Sequence, residues 1–444
     1  MNASEARSLA RRAVGLTSAD EAEVLVVHDT SSLTRFANNH IHQNVTEDDV
    51  LVSVRAVLGT RIGVASTNQT DEQSLRSVCG AAVLASSQAA EDPTFPGLPS
   101  PEPIDERTDR YCEKTAGFDA DARAEAVATI IGQSSSRRLV AAGTVATSST
   151  TTAVANSKGI AAAMRTSSAR ATVLSMGSEG GSGWASWTGK DASELSAESL
   201  GDEAALLAQR SANPRDLEPG EYAVVLGPEA VGDILQFLAY TGLSAKAYEE
   251  GRSFMSGKLE SGIGSELVTI VDDALAPYAL GLTFDYEGMP KRVVPMIEYG
   301  VALRPVTDSY WAARGGWPNS GHALPAPNSF GPYPLNLEML PGESSVDELI
   351  SSIERGVYVT RFHYVNVEDP MTVLLTGMTR DGTFMIENGV LGRPLKNQRF
   401  TQSALDVLLR TSGVSAERRF VGEETASLVP TIKVDKFAFT GQTT

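Results

Sequence analysis

The chain has 444 residues, 42% of them hydrophobic and 21% charged, an ordinary composition for a globular protein of two or three domains. Its formal charge of −18 (37 basic against 55 acidic residues) and its lack of a basic stripe argue against binding nucleic acid or anionic membranes. Two cysteines are too few for a disulfide-built secreted domain, and no apolar run is long enough to span a membrane. The charged N-terminal segment lacks the apolar core of a secretion signal, so we expect a cytoplasmic protein.

The first ninety residues alternate between helix and strand patterns. Apolar residues at helical spacing predict helices over residues 4–15 and 70–88, and a Thr-Asp cap opens the second. The predicted strand segments between them are 21–28, the hairpin 33–45 with its turn at Asn38-Asn39, and 49–67 with a break near Gly59. This order predicts an α+β layer, a sheet with helices on one face.

Residues 91–105 carry five prolines and predict a rigid, irregular connector. Helices are predicted at 120–135 and 191–213, and antiparallel strands rich in small and β-branched residues over 138–188. We therefore expect an N-terminal α+β domain over residues 1–213.

The remainder, residues 214–444, predicts a large antiparallel β-rich domain. It opens with a strand at 222–226 and a helix from Pro228, and it is rich in strands from residue 266 onward. The predicted turns are Glu287-Gly288, Asn319-Ser-Gly321, Pro341-Gly342, Asp381-Gly382 and Asn388-Gly389.

The helix from Pro228 has a purely structural explanation. Proline suits the first position of a helix, where its missing N–H costs nothing, and Glu229 beside it is favoured by the helix dipole. Apolar residues then recur at helical spacing, and this pattern requires no catalysis.

The same helix carries a resemblance to a known family. The segment GPEAVGDILQFLAYTGLSAKAYEEGRSFMSGKLESGIGSELVTIVDD, residues 227–273, resembles the core motif of the TldD/PmbA metallopeptidases, also called modulators of DNA gyrase. Further similar segments are TRFANNHIHQNV at 34–45, FDYEGMPKR at 284–292, LTGMTRDGTFMIENGVLGRPLKNQRF at 375–400 and VPTIKVDKFAFTG at 429–441.

In the TldD branch of that family this helix carries His-Glu-x-x-x-His, in which two imidazoles hold the metal and the glutamate acts as general base. At the matching positions this sequence has Pro228, Glu229 and Asp233, and the cysteine that the branch has near its C-terminus has no counterpart after Cys112. Proline has no side-chain donor. The pattern is similar to that of the PmbA branch, also called TldE.

The resemblance implies a metal-free, non-catalytic subunit with no metal in this chain. Its expected partner is a TldD-like paralogue that bears zinc, and the pair encloses a chamber for peptides or unfolded segments; a homodimer is the other arrangement. Two further hypotheses remain open. One is an autonomous metallohydrolase in which Glu229 and Asp233, with histidines from elsewhere, hold a metal in a rearranged site. The other is a non-proteolytic module that binds a client protein.

Other candidate residues carry weaker signals. Arg252, Ser253, Ser256 and Gly257 lie in a segment that the resemblance places near the chamber, where they are candidates for contacts with peptide backbone; ordinary loop closure is the alternative.

His40 and His42 share one strand face and could hold a metal with a distant third ligand. Solvated or hydrogen-bonded histidines are the simpler interpretation. Cys79 fits the apolar stripe of its helix, and Cys112 follows the proline-rich connector; neither lies in a nucleophile motif.

Overall fold

The computed structural model describes residues 1–105, 110–422 and 426–442. The α-helices within these ranges are α1 Ala3–Leu16, α2 Glu72–Gln88, α3 Glu113–Ala116, α4 Ala120–Ser136, α5 Ala197–Arg210, α6 Pro228–Gly242, α7 Ala245–Glu249, α8 Ser309–Gly315, α9 Val346–Ser351 and α10 Ala404–Leu409. A single 3₁₀ turn lies at Ala192–Glu194.

The strands fall into two sheets. Those of the first are β1 Glu21–Ala37, β2 His40–Leu58, β3 Arg61–Thr67, β4 Val140–Asn156, β5 Ala161–Met176 and β6 Ser182–Gly189. Those of the second are β7 Gly220–Leu226, β8 Ile270–Asp272, β9 Val294–Glu298, β10 Val301–Ala302, β11 Leu337–Met339, β12 Arg355–Asp369, β13 Leu374–Glu387, β14 Val390–Pro394, β15 Gln398–Ser403, β16 Thr411–Val421 and β17 Ser427–Gln442.

The first sheet has the strand order β3-β2-β1-β4-β5-β6, and every pairing in it is antiparallel. Asn38 and Asn39 both adopt positive φ, 51° and 62°, which is the geometry of a two-residue hairpin turn. Helices α1, α2, α4 and α5 pack through apolar side chains on one face of this sheet. The predicted layer of helices on one face is therefore confirmed.

The opposite face of the first sheet lies against the C-terminal half of the chain. Leu25 and Val154 on this face form a buried cluster with Phe284 and Met289 from that half. Arg55 on β2 forms an ion pair with Glu287, 3.1 Å between Nη2 and Oε1. The two halves therefore share a packed and charged boundary, and the cleft described below lies along it.

The second sheet wraps around α6, whose apolar side chains belong to the largest buried cluster. Its pairings are antiparallel except for β7 with β12 and β11 with β17, which are parallel. Together with the first sheet it confirms the predicted α+β class, and the described residues contain no helix that is long and apolar enough to cross a membrane. The division of the chain at residues 213 and 214 stays a prediction.

The structure corrects several predicted elements. The predicted strands 21–28 and 33–45 are parts of the long strands β1 and β2, because the alternation continues through the polar stretch between them. The predicted helix 191–213 is a 3₁₀ turn followed by α5. Residues 273–336 are mostly irregular, with few and short strands, so the expected strand-rich pattern from residue 266 holds only from β11 onward.

The turn expected at Asp381-Gly382 is also wrong. Both residues lie inside β13 with positive φ, 54° and 128°. The pairing register between β12 and β13 shifts beside them, so these residues form an irregularity in a continuing strand. The hairpin turn at Asn388-Gly389, by contrast, is confirmed between β13 and β14.

Candidate functional site

The start of α6 lies where the two sheets meet. β7 ends at Leu226, Gly227 provides the N-cap without a side-chain bond, and Pro228 and Glu229 occupy the first turn. A Cβ at Gly227 would lie 3.0 Å from the carbonyl oxygen of Thr360, so glycine lets the chain turn closely against β12. The predicted helix and its N-terminal proline are confirmed.

The Glu229 carboxylate is bound by two donors from β6. The Ser186 hydroxyl donates a hydrogen bond to Glu229 Oε1, and the Trp184 indole N–H donates to the same oxygen at 3.4 Å. Hydrogen bonds to a charged group are stronger than neutral ones, typically about 1.5–3 kcal/mol each. Glu229 thus joins α6, which packs on the second sheet, to strand β6 of the first sheet.

A second contact of the same kind lies at the start of β6. The Ser182 hydroxyl donates to Asp381 Oδ1 at 2.7 Å, and Arg361 donates to Oδ2 of the same carboxylate at 2.7 Å. The irregularity at Asp381 thus orients a buried carboxylate toward β6. Ser182, Trp184 and Ser186 alternate along one face of the strand, and we call these three residues and their two acceptors the β6 seam.

The other face of β6 explains why the strand sits so close to its helix layer. A Cβ at Gly183 would lie 2.2 Å from the carbonyl oxygen of Ala204, so α5 packs directly on the strand backbone. The strand is therefore fixed on both faces, which gives the seam a defined position.

The start of α6 borders a cavity of about 200 Å³, the α6 cavity. Two arginines line it. The Arg361 guanidinium stacks over the Trp184 ring at 4.3 Å, and Arg419 forms an ion pair with Glu203 that raises the Arg419 pKa above its ordinary value. The described cations of this cavity are thus already engaged by other side chains.

Asp233 lies one helical turn after Glu229 and borders a smaller cavity of about 30 Å³ that Glu229 also lines. Leu337 lines both this small cavity and a larger one of about 630 Å³. Shared lining residues therefore connect the α6 cavity, through the Asp233 cavity, to this space of about 630 Å³ between the two halves of the chain. We call the three cavities together the cleft.

The largest part of the cleft has two different walls, and we call it the hydroxyl groove. On the sheet side, Ser31, Ser148 and Ser168 lie in one cross-strand row, with 3.0 Å between the hydroxyls of Ser148 and Ser168. The opposite wall is mainly apolar and consists of Leu280, Tyr286, Leu335, Leu337 and Phe420, among others. A groove with hydroxyls on one side and apolar side chains on the other suits an extended peptide, which has both polar and apolar groups.

Glu338 adds a buried charge to the apolar wall of the groove. Its Oε2 lies 2.9 Å from Arg418 Nη1 and accepts a hydrogen bond from the Tyr278 hydroxyl at 2.9 Å. Burial raises the pKa of Glu338 above its ordinary value. The carboxylate is therefore satisfied by its own half of the chain.

The positions of the two metal-binding histidines in the TldD motif are occupied here by Pro228 and Asp233. Pro228 has no donor, and Glu229 is held by Ser186 and Trp184. Over residues 1–105, 110–422 and 426–442, no group of three His, Cys, Asp or Glu side chains is close enough together to hold an ion. A zinc ion with three protein ligands does not fit this donor set.

The histidines lie apart from the α6 cavity. His40 and His42 are exposed on the hairpin strand β2, and neither lines the cleft. His322 is fully buried, with Nε2 3.0 Å from Asp272 Oδ1 and Nδ1 2.9 Å from Ser320 Oγ. Burial, followed by the nearby Lys291 charge, lowers the pKa of His322.

The four residues predicted to contact peptide backbone lie in the loop after α7. Ser253 is fully buried, and its hydroxyl donates to the Gly242 carbonyl at 2.6 Å and accepts from the Met255 N–H. Arg252 pairs with Glu250, Ser256 donates to the Tyr248 carbonyl, and Gly257 has a φ of 73°. None of the four lines the cleft, and their role in substrate binding stays a prediction.

The cysteines also have ordinary surroundings. Cys79 is buried in α2, where its thiol lies 3.5 Å from the Ala13 carbonyl oxygen, as its place in the apolar stripe predicts. Cys112 is half-buried and precedes α3, and its N–H donates to the Ser167 hydroxyl.

The partners of Glu229 could not be predicted from the sequence. The segment 138–188 predicts strands, and alternation places Trp184 and Ser186 on one face, but no local signal says that this face meets α6. Arg361 and Arg419 are likewise brought to the cavity by strand pairings that join distant parts of the chain.

The comparisons with known proteins decide the family. The sequence profile of the PmbA/TldA metallopeptidase C-terminal domain matches residues 219–441. The profiles of domain 1 and of the central domain match residues 22–86 and 99–212. The chain belongs to the TldD/PmbA family. The resemblance of the 227–273 segment is therefore confirmed at the level of the family.

Named relatives and a solved structure agree with this family. The chain is 29% identical to the metalloprotease TldD homolog of Buchnera aphidicola over 217 residues, 48% of this chain and 44% of the relative. It is 27% identical to the zinc metalloprotease TldD homolog of Saccharolobus solfataricus over 241 residues, 50% of this chain and 52% of the relative. The matches thus span about half the length of these relatives. The fold is similar to that of TldE from Thermococcus kodakarensis, with a TM-score of 0.90, 21% identity and coverage of 99% of this chain and 100% of the other.

Proposed function

We propose that this TldD/PmbA-family chain is the metal-free subunit of a two-subunit peptidase. Its partner is a paralogue with the His-Glu-x-x-x-His helix and the zinc ion, and the two chains enclose a chamber for peptides or unfolded segments. In this role the chain completes the wall of the chamber and holds extended substrate, while the partner carries out hydrolysis.

The observation that carries the proposal is the state of Glu229. A metallopeptidase base acts on a water that a metal ion holds beside it, and the position of the first metal ligand is occupied here by Pro228, which has no donor. Glu229 Oε1 accepts hydrogen bonds from Ser186 and Trp184. Glu229 therefore serves as a structural link in the β6 seam, and the packing face of α6 is retained without the metal chemistry.

The cleft supports the binding part of the proposal. It runs from the start of α6 to the hydroxyl groove, and the row of Ser31, Ser148 and Ser168 offers hydroxyls along the sheet face. These side chains would hydrogen-bond an extended peptide backbone, and the apolar wall would accept its side chains. Because the chain is strongly acidic, we expect any effect on gyrase to act through contacts with protein and not through direct contact with DNA.

The test uses the purified full-length chain, alone and mixed with a paralogue that bears the His-Glu-x-x-x-His motif. We expect a stable one-to-one complex, zinc in that complex at one ion per pair, and peptide cleavage only by the complex. Glu229→Gln in this chain should leave cleavage by an assembled complex unchanged.

A matched control is available for that substitution. Glu249 also accepts a hydrogen bond from an indole N–H, that of Trp317 at 2.9 Å, and it does not line the cleft. Glu249→Gln therefore changes the same chemical group at a different place. The proposal would be contradicted if the isolated chain cleaves peptides, and if Glu229→Gln abolishes this cleavage while Glu249→Gln preserves it. That result would favour an autonomous hydrolase.

A further inference from the structure

A second cavity lies away from the cleft. It has a volume of about 550 Å³ and lies between strands β2 and β3 of the first sheet and loops of the C-terminal half, and we call it the Asp308 cavity. It shares no lining residue with the cleft. Its charged and aromatic lining residues are Arg55, Asp92, Lys246, Glu287, Asp308, Phe95, Tyr310 and Trp311.

Asp308 is the central residue of this lining. It is 7% exposed, and its Oδ1 accepts a hydrogen bond from the Trp311 N–H at 2.8 Å. Its other oxygen, Oδ2, accepts no hydrogen bond from the part of the chain that the structure describes. Burial and then the Glu287 charge raise the pKa of Asp308 to about 7. Among the described residues, Asp308 Oδ2 is not one of the buried polar atoms sealed from solvent without a partner, so a donor in the cavity can reach it.

The nearest cation is already shared by two other carboxylates. Arg55 Nη2 lies 2.8 Å from Glu23 Oε2 and 3.1 Å from Glu287 Oε1. The Lys246 ammonium donates a hydrogen bond to the Ser329 carbonyl oxygen. The carboxylates that line the cavity therefore outnumber its cations. No cation among the described residues donates a hydrogen bond to Asp308.

The rest of the lining limits the kind of cation. No group of three metal-ligating side chains exists among the described residues, which disfavours a metal ion. Phe95, Tyr310 and Trp311 and several aliphatic side chains line the same space. Aromatic rings favour an organic cation with an apolar body, since they attract positive charge and bury apolar surface.

We propose that the Asp308 cavity binds an organic primary ammonium group that carries an apolar or aromatic body. The ammonium lies against Asp308 Oδ2 and the Glu287 carboxylate, and the body packs against the aromatic residues. This chemistry is shared by free amines and by the amino terminus of a peptide. The inference does not rest on the proposed role of the cleft, because the two spaces have no lining residue in common.

The test is isothermal titration calorimetry of the full chain at a pH of about 7.5, where alkylamines are protonated. The probe 2-phenylethylamine should bind at least about tenfold more tightly than 2-phenylethanol, a neutral molecule of the same shape, which corresponds to about 1.4 kcal/mol. The tripeptide Phe-Gly-Gly and its N-acetylated form are the second pair of probes. Preference for the free tripeptide over the small amine assigns the site to a peptide terminus, and the reverse assigns it to a free amine.

Two substitutions locate the binding. Asp308→Asn keeps the helix cap, since asparagine caps as well as aspartate, and should weaken amine binding at least about tenfold. Glu287→Gln should weaken it severalfold. Asp119→Asn is the control, because Asp119 is also an N-cap aspartate, at the start of α4, but is itself exposed. Equal binding of amine and alcohol, amine binding unchanged in Asp308→Asn, or no binding of either amine probe at about 10 mM would overturn the inference.

Discussion

Glu229 and Asp308 are two carboxylates at the boundary between the halves of this chain, and their surroundings differ. Glu229 is half-buried, and two donors from β6 bind its Oε1. Asp308 is more deeply buried, and one of its oxygens has no donor among the described residues. Each carboxylate has one oxygen to which no described residue donates, so the difference lies in burial and in the number of donors: two side chains bind the half-buried Glu229, whereas one backbone N–H binds the deeply buried Asp308. A deeply buried charge with few donors points to a ligand.

The largest expected difference between the two is in pH dependence. The folded-state pKa of Asp308, about 7, lies above the usual aspartate value, so this group contributes stability at low pH that is lost as pH rises toward 7. Between pH 5 and pH 8, the free energy of unfolding of wild type should fall by about 3 kcal/mol relative to Asp308→Asn. Urea unfolding of both proteins across this range measures the difference.

The comparison with Asp308→Asn is needed because other groups titrate in the same range. Burial raises the pKa of Glu23 to about 7, which acts in the same direction as Asp308. The lowered pKa of His322 acts in the opposite direction, since stability from a neutral histidine is lost as pH falls. Both groups are present in wild type and in the variant, so their contributions cancel in the difference between the two unfolding free energies. The control variant Asp119→Asn should give a plot of unfolding free energy against pH that is parallel to that of wild type. A parallel plot for Asp308→Asn would contradict the account of Asp308.

The next largest effect concerns the link at Glu229. Glu229→Ala removes the acceptor of Ser186 and Trp184, and we expect it to lower the free energy of unfolding by about 2 kcal/mol. Glu249→Ala, in a more exposed place, should cost less than about 1 kcal/mol. Urea titrations at one pH measure both. Equal and negligible costs would remove the structural explanation for Glu229 and return it to the candidates for catalysis.

Much of the fold was accessible from the sequence, and the reasons are local. Asn38-Asn39 and Asn388-Gly389 mark turns because these residues tolerate positive φ, and Asp71 and Pro228 mark helix starts. The turn predicted at Asp381-Gly382 fails for a related reason. The same dipeptide also suits an irregularity within a strand, and only the pairing with β12 decides between the two.

The candidate site was predictable in its chemistry but not in its contacts. Pro228 and Asp233 at the metal positions can be read from the motif. The hydrogen bonds from Ser186 and Trp184 join residues more than forty positions apart in the chain. The Asp308 cavity was missed entirely, because Arg55, Glu287 and Asp308 come from three separate segments with no common motif.

A third prediction concerns the hydroxyl groove. Ser148→Tyr places a large side chain in the groove and should lower peptide cleavage by the assembled complex about tenfold in kcat/KM. Ser149→Tyr is the matched control, since the next residue faces the other side of the sheet and does not line the groove. Equal losses in the two variants would mean that the sheet is disturbed and that the groove does not hold substrate.

The smallest expected effect concerns the exposed histidines. The double substitution His40→Ala and His42→Ala should leave the zinc content of the complex unchanged, because no group of three metal-ligating side chains among the described residues includes either histidine. Elemental analysis of the purified complex provides the measurement. A loss of one zinc ion per pair would place a metal on the β1–β2 hairpin.

The most direct test of the central claim is the zinc content per chain of the isolated protein, purified without chelator, measured beside its cleavage of peptides. The proposed role as the metal-free subunit predicts a zinc content near zero and no cleavage until the histidine-bearing paralogue is added. A content near one ion per chain, with cleavage that Glu229→Gln abolishes, would contradict it.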